Sequence, residues 1–148
     1  MIVPPKVIVL VADGGRMLLL RNDGDAEAPD LTVIAHRDGV APPDRDLFND
    51  APGRTFQSHG PGRSAYESGS LHDALERAFL AAAAQTLGDH VGADTPGIIV
   101  VADPVSLGYL RQHYQHYPPA ARARLLAELS RDFTSMPTTS IARHLVEA

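Results

Sequence analysis

"KVIVLVADGGRMLLLRN", Lys6 to Asn22, decides how the rest of the chain is read. Val7 to Ala12 is apolar without a break and rich in β-branched residues, the pattern of a strand buried on both faces. Asp13, Gly14 and Gly15 supply turn chemistry that tolerates positive φ. Arg16–Asn22 is then the returning strand. After the polar loop "DGDAEAPD" (Asp23–Asp30), "LTVIAHR" (Leu31–Arg37) reads as a third strand, so the first third of the chain is an antiparallel meander.

Outward from the meander the pattern changes. Residues 38–69 hold no sustained period but carry Pro42, Pro43, Pro52, Gly53, Gly60, Pro61, Gly62 and Gly69. A stretch this long without its own structure is unusual inside a domain and is often functional or disordered. Within it, "RTFQ" (Arg54–Gln57) reads as an extended anchor with Phe56 turned inward. Ser70 is placed as a helix N-cap with Asp73 at the third helical position. Leu71, Leu75, Ala78, Phe79, Ala82 and Leu87 then fall near helical spacing, while Leu80, Ala81 and Ala84 on other sides predict cover from more than one direction.

"GIIVVA" (Gly97–Ala102) is another buried-type strand. Asp103 and Pro104 form the cap and first-turn pair of a helix to about Tyr114, which "YPPAARA" breaks. Arg124–Asp132 is read as a strand because it follows a βα unit, against its leucine-rich helix propensity. A short helix starting near Pro137 closes the order β-β-β-α-β-α-β-α. That order predicts an α/β fold in one domain, residues 1–148. Its mixed five-stranded sheet has Ile98–Ala102 parallel beside Ile8–Ala12. A ribonuclease H-like arrangement satisfies it, as does the middle, catalytic domain of archaeo-eukaryotic peptide release factors.

Composition sets the limits. With 148 residues and 44% apolar content the chain is long and hydrophobic enough for a real core. It has no cysteine, which excludes disulfides, thiolate metal sites and a cysteine nucleophile. The net charge of −5 argues against a broad nucleic-acid-coating face but leaves room for a local basic site. No segment reads as a membrane span or a signal, so a cytoplasmic protein is expected.

The candidate binding loop lies before the long helix, in "GRTFQSHGPGRSAYE" (Gly53–Glu67). Gly60 and Gly62 leave backbone N–H groups bare, Arg63 adds a cation and Ser64 a hydroxyl, with Arg54 and His59 alongside. Such a set suits a phosphate. Residues 58–67 are expected to be exposed and mobile, held at their ends by Phe56 and Ser70.

Three carboxylates offer a different reading. Asp13, Glu76 and Asp103 stand where this topology brings acids together for metal-dependent phosphodiester hydrolysis. A turn residue, a solvated helix position and an N-cap explain them more cheaply. His113 and His116 share a helix face without further ligands, so a surface pair is expected rather than a metal site. Ser64, His72 and Asp73 have the letters of a triad, but adjacent residues on a helix diverge by about 100°, so Asp73 cannot readily orient His72; Ser64 near His72 stays geometrically open. There is no phosphate-loop or dinucleotide fingerprint. No cofactor or metal is expected.

"VIVLVADGGRMLLLRNDGD", "GRTFQSHGPGRSAYE", "IIVVADPVSLGYLRQ" and "SRDFTSMPTTSIARHL" together resemble the bacterial host-attachment protein family over nearly the whole chain, in order. That family is regarded as a bacterial branch related to the release-factor catalytic domain. The resemblance implies ribosomal RNA or tRNA as partner, reached through Arg54–Ser64. Release factors carry Gly-Gly-Gln in the corresponding loop. Here no Gly-Gly-Gln stands, and Arg63 takes the place of the glutamine, which counts against direct peptide release. The alternatives are a non-enzymatic protein-interaction module affecting attachment to host cells, and a divalent-metal nuclease.

Overall fold

The computed structural model describes residues 1–39 and 61–148, the stretch 61–70 by its backbone alone. Five strands form one mixed sheet: β1 (Ile8–Ala12), β2 (Arg16–Asn22), β3 (Leu31–Asp38), β4 (Ile98–Ala102) and β5 (Leu125–Ser130). Their spatial order is β3-β2-β1-β4-β5. β1 pairs antiparallel with β2 and parallel with β4, in the register Ile8 to Ile98 through Ala12 to Ala102. β2 and β3 are antiparallel, and β4 and β5 parallel. The antiparallel meander therefore passes into parallel βα units at the β1–β4 pair, as the sequence predicts.

Every residue of β1 and β4 is buried. The two strands lie centrally with packed layers on both faces, which is why their sequences are apolar without alternation. One face carries Leu10, Leu19 and Val100 against the helices α1 (Pro61–His90) and α2 (Pro104–Tyr114). The other carries Val9, Val11 and Ile99 against Phe133 and the helix α4 (Thr138–Glu147). Between α2 and β5 the proline-rich break forms the single turn α3 (Pro119–Arg122).

Two expectations about α1 are corrected. The helix starts at Pro61, not at a cap on Ser70, so 61–67 is helix rather than loop. Proline suits the first helical position, where its fixed φ fits and its missing N–H costs nothing. Once a packed helix exists downstream, adding turns upstream avoids the cost of nucleation. The inward stripe also differs. Phe79, Leu80, Ala83, Ala84 and Leu87 are buried, while Leu71 is exposed. α1 packs against α2 as well as the sheet; its core face is set by that pair of neighbours.

Candidate functional site

The carboxyl ends of the parallel strands β1 and β4 open on a cleft, the position at which open α/β sheets commonly bind ligands. The cleft is about 500 Å³ and is lined by Asp13, Gly15, Glu76, Asp103, Ser106 and Tyr109. A second, of about 490 Å³, shares Gly14, Gly15 and Glu76 with it and continues to Arg37, His72 and Phe79. The fold thus brings the three predicted carboxylates around one space.

Each of them has structural work there. Asp13 Oδ1 accepts from the N–H groups of Gly15 at 2.8 Å and Arg16 at 2.7 Å, closing the β1–β2 turn. Its Oδ2 lies 3.0 Å from Thr134 Oγ1, which is also 2.7 Å from Asp132 Oδ1. One hydroxyl proton is therefore shared between two carboxylates. Asp103 caps α2, with Oδ2 accepting from the Ser106 N–H at 3.2 Å. Glu76 Oε1 lies 3.6 Å from His72 Nε2. Among the described residues no group of three or more His, Cys, Asp or Glu could hold a metal ion. His113 lies in the last turn of α2 and His116 just beyond its end.

Two participants escape a reading of the sequence. Arg77 stands 5.2 Å from the ring centroid of Tyr109, joining α1 to α2, and its contact with Tyr109 raises its pKa further. Thr134 reaches Asp13 from 121 positions away. No local spacing signals either contact. For Thr134 the only available clue is topological, since parallel β1, β4 and β5 all end at the same edge of the sheet.

Of the predicted binding residues, Arg54, His59 and Gly60 lie outside the described residues, as does Phe56. Gly62, Arg63 and Ser64 fall in the first turn of α1. That helix has 30 residues and a length of about 45 Å. Glu76 meets the sheet edge at Gly14, and Leu87 packs at the opposite end beside Ile98. The fifteen residues from Pro61 to Leu75 precede that edge contact, a helical span of about 22 Å.

A family model described as bacterial archaeo-eukaryotic release factor family 12 matches residues 6–145. No curated protein matches the chain. The expected kinship with the release-factor domain thus rests on nearly the full length; attachment to host cells is no part of that description. No described helix is long and apolar enough to cross a membrane.

Proposed function

We propose, from the premise that the chain belongs to bacterial archaeo-eukaryotic release factor family 12, that it contacts ribosomal RNA or tRNA through Arg54–Ser64. The observation that carries this reading is that Gly62, Arg63 and Ser64 fall in the first turn of the 30-residue helix α1. A contact group whose backbone is already helical loses less conformational freedom on binding than one in a loop. Arg63 would supply forked, charge-assisted hydrogen bonds to phosphate. The net charge of −5 confines such contact to a local patch. We read the strand order as that of the release-factor middle domain, a ribonuclease H-like arrangement, and the protein as cytoplasmic.

Hydrolysis of peptidyl-tRNA is not assigned, because Arg63 stands where the release factors carry glutamine. The divalent-metal nuclease reading lacks a ligand set among the described residues, with Asp13 and Asp103 committed to a turn and a cap.

Co-sedimentation with ribosomes, and filter binding to tRNA, test the proposal. Arg63→Ala should weaken association by about tenfold with the fold unchanged, and binding should fall with salt. Association that survives both Arg63→Ala and Arg54→Ala undiminished overturns it. A partner retained after ribonuclease treatment favours instead the interaction-module reading and its link to attachment.

A further inference from the structure

Besides Arg63, α1 carries one further arginine, Arg77. The two are two heptads apart, and two heptads return a helix to within about 40° of the same side. Arg63 and Arg77 therefore share one stripe of α1, about 21 Å apart. Ser70 lies between them on that stripe, with Glu67 and Asp73 about 60° to either side of its midline. Arg77 is exposed and stands 5.2 Å from the ring centroid of Tyr109, on α2. That ring packs against the core and is held in place. Val105, one turn earlier on α2, lines the same cleft as Tyr109 and is 66% exposed. Arginine is planar and stacks on aromatic rings, and unpaired bases stack on both kinds of surface.

Charge decides what this platform accepts. Asp73 precedes Arg77 by one turn and acts on it electrostatically. Asp13, Glu76 and Asp103 line the adjoining cleft together with Asp73. So many carboxylates beside one guanidinium disfavour a phosphate there. A nucleobase carries no net charge and presents a π-face, which a cation over a ring attracts. The distance of about 21 Å from Arg63 corresponds to about six stacked nucleotides at 3.4 Å each, so one strand can reach both arginines.

Resting on the reading of the chain as an RNA-contacting protein, we infer that Arg77, seated on Tyr109, is a second contact point for the same strand and takes an unpaired nucleobase. The base stacks on the solvent side of the guanidinium, with an edge against Val105. The phosphates run along the stripe that leads to Arg63 and stay clear of the acidic cleft. Stacking of this kind tolerates any base, so the platform adds affinity without selecting a sequence.

The probe is a uridine-rich RNA octamer with one central 2-aminopurine, whose fluorescence falls when it stacks, titrated with the full chain. Wild type should bind the octamer and quench it. Arg77→Ala should weaken binding about tenfold and leave the probe bright at saturation. Arg77→Lys keeps the charge but not the plane, and should leave it bright as well. Arg63→Ala should also weaken binding, yet quench fully once saturated, because its contact is to phosphate. The melting temperature of Arg77→Ala should stay within about 4 °C of wild type, since an exposed cation–π pair adds little to the fold. An undiminished quench in saturated Arg77→Ala, an equal quench by Arg77→Lys, or a probe that wild type fails to bind or quench overturns the inference. Failure of the parent reading looks different: binding is then indifferent to Arg63→Ala, while loss of the quench in Arg77→Ala still upholds the platform.

Discussion

Glu76 lies so close over Gly14 that a Cβ at Gly14 would collide with its carboxylate and Cγ. The contact joins α1 to the β1–β2 turn. Its yielding partner is the end of a flexible side chain, which can swing aside. Gly14→Ala should therefore displace Glu76 from His72 at a cost below about 1 kcal/mol. Gly24 makes the opposite case. A Cβ there would meet backbone, the Ala28 oxygen at 2.6 Å and the Asp30 nitrogen at 2.8 Å. Gly24→Ala should cost about 2–3 kcal/mol. Urea unfolding of both variants checks the order; equal costs would show that the difference in neighbours is immaterial.

Asn22, fully buried at the end of β2, organises the β2–β3 loop and the N-terminal segment. Its Oδ1 accepts from the N–H groups of Gly24 and Asp30, both at 2.9 Å. Its Nδ2 donates to the Val3 carbonyl at 2.9 Å, with the Pro4 and Asp25 carbonyls at 3.3 and 3.2 Å. Removing the amide strands several buried groups at once. Asn22→Ala should cost about 3–5 kcal/mol by denaturant unfolding, more than the typical single substitution. A loss under 1 kcal/mol would mean that water takes over these bonds.

Lys6 has φ 71°, the left-handed region that non-glycine residues enter at a cost. Its N–H donates to the Asn22 carbonyl at 2.7 Å, so the conformation is held by the same hub. Lys6→Gly should raise stability by about 0.5–1 kcal/mol, the strain relieved exceeding the entropy gained by the unfolded chain. Lys6→Pro loses both the φ and the N–H and should destabilise strongly. Thermal melts of the two variants should move in opposite directions.

The Arg21–Asp23 pair predicts a feature of the acid limb. Arg21 Nε lies 2.6 Å from Asp23 Oδ1. Hydrogen bonds from Arg21 first and Thr32 second hold the Asp23 carboxyl down at about 2, from 3.8. A carboxyl whose pKa is lower folded than unfolded stabilises above the unfolded value and loses that contribution as pH falls through the folded one. The pair's contribution should thus be complete above about pH 4 and gone near pH 2. Salt should shrink it, since the pair faces solvent. Comparing wild type with Asp23→Asn from pH 5 to 2 should show the two stabilities converging. Parallel curves would remove the pair from the account.

The meander and the central strands were legible because burial on both faces leaves runs such as Val7–Ala12 without polar interruption. β5 was legible only through its place after a βα unit. At the sheet edge its residues are half-buried or exposed, Leu126 at 50%, and carry no distinct period. Asp13 and Asp103 were readable as turn and cap because both jobs are local. The Thr134–Asp13 contact and the buried face of α1 were not, because each is decided by an element distant in sequence.

Ser70 and Asp103 provide a matched test of where α1 begins. Both read in sequence as N-caps, residues whose side-chain oxygen satisfies an unpaired N–H of the first turn. Only Asp103 has that geometry, with extended backbone at φ −64°, ψ 162° and Oδ2 accepting from Ser106. Ser70 lies inside a helix already running from Pro61. A capping residue and an interior serine respond oppositely to alanine. At Asp103 alanine removes a hydrogen bond that water replaces poorly, so Asp103→Ala should cost about 1 kcal/mol. At Ser70 the only backbone consequence is helix propensity, in which alanine exceeds serine, so Ser70→Ala should gain a few tenths of a kcal/mol, roughly 0.3–0.5. Ser70→Gly should lose about 0.5 kcal/mol on the same scale, whereas at a true cap glycine costs only a few tenths. Chemical denaturation of the three variants reads the signs directly. Loss of about 1 kcal/mol in Ser70→Ala would restore Ser70 as the cap and shorten α1 by its first turns.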